Sequence, residues 1–253
     1  MKLNAAKCKV LSLCRNSKNI VNYDYSFDLL DRGLVLLEHE NIVKDLGVLI
    51  DSDLSFDDHI NDKINTANKM LGIIRRNFVD LDNKSFLLLY KCLVRSHLEY
   101  AAPVWNPYKK GLIKDMESIQ KRATKLIRIC KNMSYKERLS YLGLPTLKYR
   151  RFRGDMLEVY KILNNLYDSN TAPLLELHQN SRTRGNSLKL KVDRSNYDVR
   201  KFSFCNRVVK VWNSLPDCVV TSVSINSFKN NLDNHFITEA FYYDFEAIIP
   251  GYA

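Results

Sequence analysis

The chain has 253 residues, 45% of them hydrophobic and 26% charged, with a formal net charge of +11. Such a chain can bury a sizeable core in one large domain or two smaller ones, which excludes wholesale disorder. No apolar run approaches the roughly 20 residues a membrane span needs, and MKLNAAKCKVLSLC at the N-terminus, interrupted by lysines, does not read as a signal peptide.

In chain order, four short apolar or alternating runs come first: CKVLSLC (8–14), YSFDLL (25–30), LVLLEHE (34–40) and VKDLGVLID (43–51). The turn-like RNSKN, Gly33 and Asn41 separate them, and together they predict a small antiparallel sheet. Asp51, Asp53, Asp57 and Asp58 follow. No glycine-centred loop or distal glutamate completes a calcium site there. They read instead as a turn and a helix N-terminus, with Ser55 and Asp58 resembling a capping box.

Helical periodicity then takes over. Ile60, Ile64, Ala67, Leu71, Ile74 and Phe78 make one stripe. Phe86, Tyr90, Leu93, His97 and Tyr100 make a second, in a helix that begins near Asn83 and stops before Pro103. On that stripe His97 reads as a hydrogen-bonded core residue rather than a ligand. A third helix contains SIQKRATKLIRICK (118–131). Met116, Ile119, Ala123, Leu126 and Cys130 fall on one side of it, and Lys114, Lys121, Lys125 and Arg128 on the other.

Ser134 with Glu137 forms a capping box for a short helix closed by Gly143. Pro145 opens a fifth helix, with Tyr149, Phe152, Met156, Val159, Tyr160 and Leu163 facing inward. NNLYDSNTAP (164–173) reads as a linker and SLKLKVD (187–193) as a strand. RKFSFCNRVVKVWNSLP (200–216) and SINSFKNNLDNHF (224–236) read as helices. The expected fold class is α+β, mainly α. It comprises a β region at 1–54, a helical basic domain at 55–165 and a small α/β extension at 174–253.

The positive charge is concentrated. Fourteen basic residues lie between Lys109 and Arg153 against three acids, Asp115, Glu117 and Glu137. That stretch carries the whole excess, and a focused positive field attracts a polyanion. A basic face on a single helix is usually just solvated, but here the excess runs through three consecutive helices. Tyr135, Tyr141, Tyr149 and Phe152 are interleaved with it, some of them as core, so phosphate contact is the stronger inference and base stacking the weaker.

Other chemistry finds no support. The six cysteines form no C-x-x-C pair, and Cys92 with His97 lacks a second pair to complete a zinc site. Reduced, buried thiols in an intracellular protein are expected, with no disulfide partner. No glycine-rich phosphate loop, nucleophile elbow or zincin helix occurs.

Six ordered segments carry a resemblance: LNAAKCKVL (3–11), KDLGVLIDSDLSFDDHI (44–60), LVRSHLEYAAPVWNPY (93–108), IQKRATKLI (119–127), LGLPTLKYRRFRGDM (142–156) and VVKVWNSLP (208–216). Together they resemble the C-terminal part of reverse transcriptases of non-LTR retrotransposons, of the jockey-like LINE type, over residues 3 to 236. The resemblance implies that residues 3–14 are a late palm motif, with Lys7 near incoming nucleotide. It implies a primer-grip hairpin centred on Leu46, Gly47 and Val48. The helices from about 57 to 165 would be a thumb that holds template–primer duplex.

That family's catalysis uses three palm aspartates and two magnesium ions. No Tyr-x-Asp-Asp occurs in this chain, and SFDDH is a near miss that opens a helix. The fingers, most of the palm and the endonuclease would lie upstream of Met1. The expectation is therefore a catalytically incomplete remnant that is no enzyme alone and has no cofactor of its own. Its partner would be RNA, an RNA–DNA hybrid or DNA, bound without sequence preference. Phosphate contacts would come from Lys114, Lys121, Lys125, Arg128, Arg150, Arg151 and Arg153. A strand deprived of palm neighbours should leave an exposed edge or a rearranged sheet. The alternatives are a protein-interaction role, with FYYDF (241–245) docking on a partner, or a relic with no retained role.

Overall fold

The computed structural model describes residues 4, 7–13, 23–29, 33–168, 170–178 and 185–251. The chain is α+β and mainly α. It divides into two compact units, Met1–Asp62 and Lys63–Ala253, so the first unit continues past residue 54 into helix α1 (Asp57–Asn77). The expected turn at 15–19, together with Cys14 and Leu30, lies outside the described residues.

In the first unit the predicted single sheet is three separate two-stranded pairings. Strands β1 (Lys9–Val10) and β4 (Glu38–His39) run parallel, and Lys9 pairs with Glu38. Strands β2 (Ser26–Leu29) and β3 (Gly33–Leu36) form one antiparallel hairpin. Strands β5 (Ile42–Asp45) and β6 (Val48–Asp51) form another. Each hairpin satisfies its own ladder, and no third strand extends either among the described residues. Leu34 and Leu36 are consequently 74% and 66% exposed.

The acidic turn before α1 is built on Asp51 rather than on a Ser55–Asp58 box. The Asp51 carboxylate accepts from the backbone amides of Asp53, Ser55 and Phe56 and from the Ser55 hydroxyl, at 2.6–3.1 Å. Ser55 Oγ in turn accepts from the Asp57 amide. This network holds Leu54 and Phe56 in the left-handed region, at φ 54° and 58°, which side chains of that size adopt only under constraint. The wholly buried His59 completes the corner, its Nδ1 accepting from the Leu49 amide.

In the second unit, after the buried Ala67, Leu71 and Ile74 of α1, comes a continuous helical rod: α2 (Asn83–Leu89), a π-helical stretch (Tyr90–Arg95) and α3 (Ser96–Glu99). Asp82 caps it by accepting from the Lys84 and Ser85 amides. The π stretch holds more residues per turn than an α-helix. The buried side chains therefore recur every fourth residue, as Phe86, Tyr90, Val94 and Leu98. Leu93 and Tyr100, expected inside, are exposed, and His97 is half-buried. A short turn, α4 (Ala102–Trp105), follows Ala101, whose φ of 53° ends the rod.

Helices α5 (Lys110–Thr124), α6 (Tyr135–Leu142) and α7 (Leu147–Leu163) come next. The α5 helix stops before Lys125, because Ile127 adopts an extended backbone to reach the core and the chain tightens into a 3-10 turn at Arg128–Cys130. The Ser134–Glu137 capping box is present in both directions, and Gly143 closes α6 at φ 59°. Thr146, rather than Pro145, caps α7.

Beyond residue 185 lie α8 (Asp198–Lys201), α9 (Phe204–Arg207), α10 (Val209–Ser214), α11 (Asp217–Val220), α12 (Ile225–Phe236) and α13 (Ala240–Tyr243). The helix expected over 200–216 is thus three short ones. The expected strand at 187–193 shrinks to one antiparallel bridge, Leu177 to Leu190, because the Asn213 amide takes both backbone groups of Leu190.

One core joins α7 to this region: Tyr149, Phe152, Met156 and Tyr160 pack with Trp212, Phe228, Phe236 and Phe241. The Tyr160 and Phe228 rings stack at 4.5 Å. Residues 174–253 are therefore not a separate domain. Of the FYYDF aromatics, Phe241 and Phe245 are buried against this chain, and Tyr242 and Tyr243 are half-buried. No described helix is long and apolar enough to cross a membrane.

Candidate nucleic-acid interface

Helix α5 presents two opposite surfaces. Met116, Glu117, Ile119, Gln120, Ala123 and Thr124 face the interior. Lys110, Lys114 and Lys121 recur at spacings of four and seven residues and so share the other side, with Lys125 as the C-terminal capping residue. Cations in the last turn also complement the helix dipole.

The inner surface is polar at one point. The buried Glu117 carboxylate accepts from the Tyr135 hydroxyl and from the backbone amide of Leu147, at the first turn of α7. Gln120 accepts from the buried Tyr90 hydroxyl and donates to the Pro145 carbonyl. These bonds fix α5 against α6 and α7, and thereby fix which way its lysines point.

The predicted phosphate-binding residues divide into two groups. Lys114, Lys125 and Arg128 are exposed. Arg128 pairs with Asp80 at 2.8 Å, both side chains in solvent. Lys121 is half-buried, its Nζ 4.4 Å from the Phe245 ring centre and 5.3 Å from that of Tyr135, a cation–π arrangement.

The α7 arginines turn inward, which corrects the expectation that they meet phosphate. Arg150 grips Glu99 through Nε and Nη2 at 2.8 and 2.9 Å, and that contact holds the guanidinium more firmly charged than usual. Arg153 grips Asp233 in the same forked way. Arg151 is 3% exposed, with Nε donating to Asn106 Oδ1. Sequence inspection also passed over exposed cations. Lys110, Arg122, Lys131 and Lys136 all lie at the surface, and continuing the α5 spacing one turn toward its N-terminus would have found Lys110.

The exposed charged residues between Lys109 and Glu137 are therefore eight cations and two acids, Asp115 and Glu137. Glu137 is committed to its cap, which holds its carboxyl below the usual range. The surface of this stretch is strongly positive by default.

In the first unit, the primer-grip-like residues sit on the β5–β6 hairpin. Leu46 and Gly47 are its two turn residues, at φ 44° and 86°, and Val48 is buried. Positive φ at both positions matches the twist that tight hairpins require. Lys7 is exposed, with its amide bonded to the Asn4 carbonyl.

Among the described residues no group of three His, Cys, Asp or Glu could hold a metal ion. The Asp51 turn does not fit a divalent cation, because its carboxylate oxygens are already engaged by four donors. Cys8, Cys92, Cys130, Cys205 and Cys218 are free thiols. Among these described cysteines only Cys130 is buried, and Cys92 and Cys218 are exposed, contrary to their apolar sequence setting.

No protein-family model matches the chain, and no solved structure matches it. It is similar to an uncharacterised protein of Caenorhabditis elegans, 28% identical over 130 residues, which covers 50% of this chain and 66% of that protein.

Proposed function

We propose that the chain is a catalytically incomplete remnant of a non-LTR retrotransposon reverse transcriptase, an intracellular protein that retains a thumb-like surface for nucleic acid. The observation that carries this reading is the charge of the exposed surface at 109–137, eight cations against two acids. Phosphate contact falls to Lys110, Lys114, Lys125, Lys131 and Lys136, while Arg150, Arg151 and Arg153 hold the scaffold. The first unit lends further support. Its separate hairpins and exposed Leu34 and Leu36 suit a sheet built to be covered by neighbouring strands.

Binding is sequence-independent and electrostatic, so it falls steeply with salt. The test is titration of a labelled RNA–DNA hybrid at several salt concentrations. Affinity should drop by an order of magnitude or more between about 50 and 200 mM salt. Alanine at Lys125, Lys131 and Lys136 together should weaken binding equally for all sequences and flatten the salt slope by about three. A hybrid that fails to bind at low salt, or binds without salt dependence, sinks the proposal. Alone, the chain incorporates no nucleotide on a primed template with magnesium.

A further inference from the structure

A cavity of about 480 Å³ opens where the start of α5, the turn before it, α7 and residues 245–249 meet. Four of its lining side chains are cations: Lys110 and Lys114 from α5, and Lys148 and Arg151 from α7. Its one acid is Glu246. The rest of the wall is largely apolar, chiefly Pro107, Ile113, Phe245, Ile248 and Ile249.

Positive charge gathers around this concavity, and Lys148 is half-buried in it. Its ammonium is drawn below the ordinary lysine range, first by burial and then by Arg151 and, more weakly, Lys110, against the opposing pull of Asp244 and Glu117. Lys148 stays in place because its Nζ donates to the carbonyls of Phe245 and Ala247, at 3.2 and 2.7 Å. Those bonds also hold residues 245–249 as a wall of the cavity. Lys110 and Lys114 make no ion pair among the described residues, and both reach solvent.

Four lining cations against one acid favour a bound anion, and an apolar body attached to it would lie along the isoleucine and phenylalanine wall. The volume falls within the roughly 300–1,000 Å³ range of small-molecule sites. We infer that this cavity is a binding site for a small organic phosphate monoester, its phosphate held by Lys110, Lys114 and Lys148 and its apolar or aromatic body against Ile113, Phe245 and Ile249. The inference rests on the cavity rather than on the nucleic-acid reading, with which it shares Lys110 and Lys114.

The full chain should be titrated calorimetrically with phenyl phosphate, adenosine monophosphate and inorganic phosphate. Phenyl phosphate and the nucleotide should each saturate one site, and inorganic phosphate should bind at least about tenfold more weakly, because it cannot use the apolar wall. Lys110→Ala with Lys114→Ala, both exposed and safe for folding, should weaken phenyl phosphate by more than about tenfold. Lys131→Ala with Lys136→Ala should leave it unchanged while weakening the RNA–DNA hybrid. Absence of saturable binding, equal affinity for inorganic and phenyl phosphate, or indifference to the Lys110/Lys114 pair would each overturn the inference. A phosphate site that survives loss of hybrid binding, or the reverse, shows which of the two proposals has failed.

Discussion

Arg153 holds Asp233 with two parallel hydrogen bonds, 2.6 and 2.7 Å long, and so ties α7 to α12 across 80 residues of sequence. The same carboxylate accepts from the Tyr149 hydroxyl at 3.0 Å, and its charge adds to burial in pushing that phenol far above its usual range. One acid thus serves two donors from one helix. Asp233→Ala strands both. Since the pair is partly solvated, the cost should be about 1–2 kcal/mol of stability, below that of a sealed pair. Urea unfolding measures it. Affinity for an RNA–DNA hybrid should not fall, and a large loss of affinity at unchanged stability in Arg153→Ala would return Arg153 to the binding surface.

Arg207 and Asp155 form the sealed counterpart. Their side chains are 4% and 0% exposed and meet in a fork at 2.8 Å. Arg207 also donates to the carbonyls of Phe202 and Pro103. Arg207→Ala leaves a buried carboxylate without its main partner and should cost about 3–5 kcal/mol. Arg207→Lys should recover little of this, because an ammonium cannot reproduce the fork. Thermal unfolding of the two variants decides it, and near-native stability of the lysine variant would contradict the geometry.

Glu117 gives the fold a distinctive pH response. Burial raises its carboxyl above the ordinary 4.5, against the lowering effect of the Tyr135 hydrogen bond. The native state therefore holds this proton longer than the unfolded chain. Its contribution to stability is full below the unfolded value and is lost as pH rises through the raised native one. Glu117→Gln cannot titrate. The stability of wild type minus that of the variant should therefore decline from about pH 4 upward and then level off. A difference that stays constant with pH would refute the assignment.

Leu46 occupies a position that suits asparagine. Its φ of 44° is left-handed and its side chain is 84% exposed, so the strain is not offset by burial. Leu46→Asn should strengthen the β5–β6 hairpin by about 1 kcal/mol. Hydrogen exchange of the amides of Val43, Ile50 and their ladder neighbours reports it, and faster exchange in the variant would count against the turn geometry.

What the sequence made legible was local. The Ser134–Glu137 box and Gly143 are read from adjacent residues, and the inward stripe of α7 follows from helical spacing alone. What stayed hidden depended on distance. Nothing near Arg150 announces Glu99, 51 positions earlier, or near Arg153 announces Asp233. A row of arginines bound for solvent and a row bound for distant acids look alike in one dimension. The π turn at Tyr90–Arg95 is similar: it changes which residues are buried without any marker residue, and so Val94 and Leu98 took the places expected for Leu93 and His97. Lys148 and Arg151 come together with residues 245–249 only because the chain's last segment returns to α7.

That return has a temporal consequence. The Thr146 amide donates to the Tyr242 carbonyl, and its hydroxyl accepts from the Tyr149 amide while donating to the Phe241 carbonyl, 95 residues downstream. On a ribosome adding about 5–20 residues per second, the start of α7 waits on the order of 5 to 20 seconds for those carbonyls to be made. Throughout that interval a nascent chain carries Phe152 and Met156 without the aromatic cover they meet in the finished molecule, and it is then that a chaperone has most to hold.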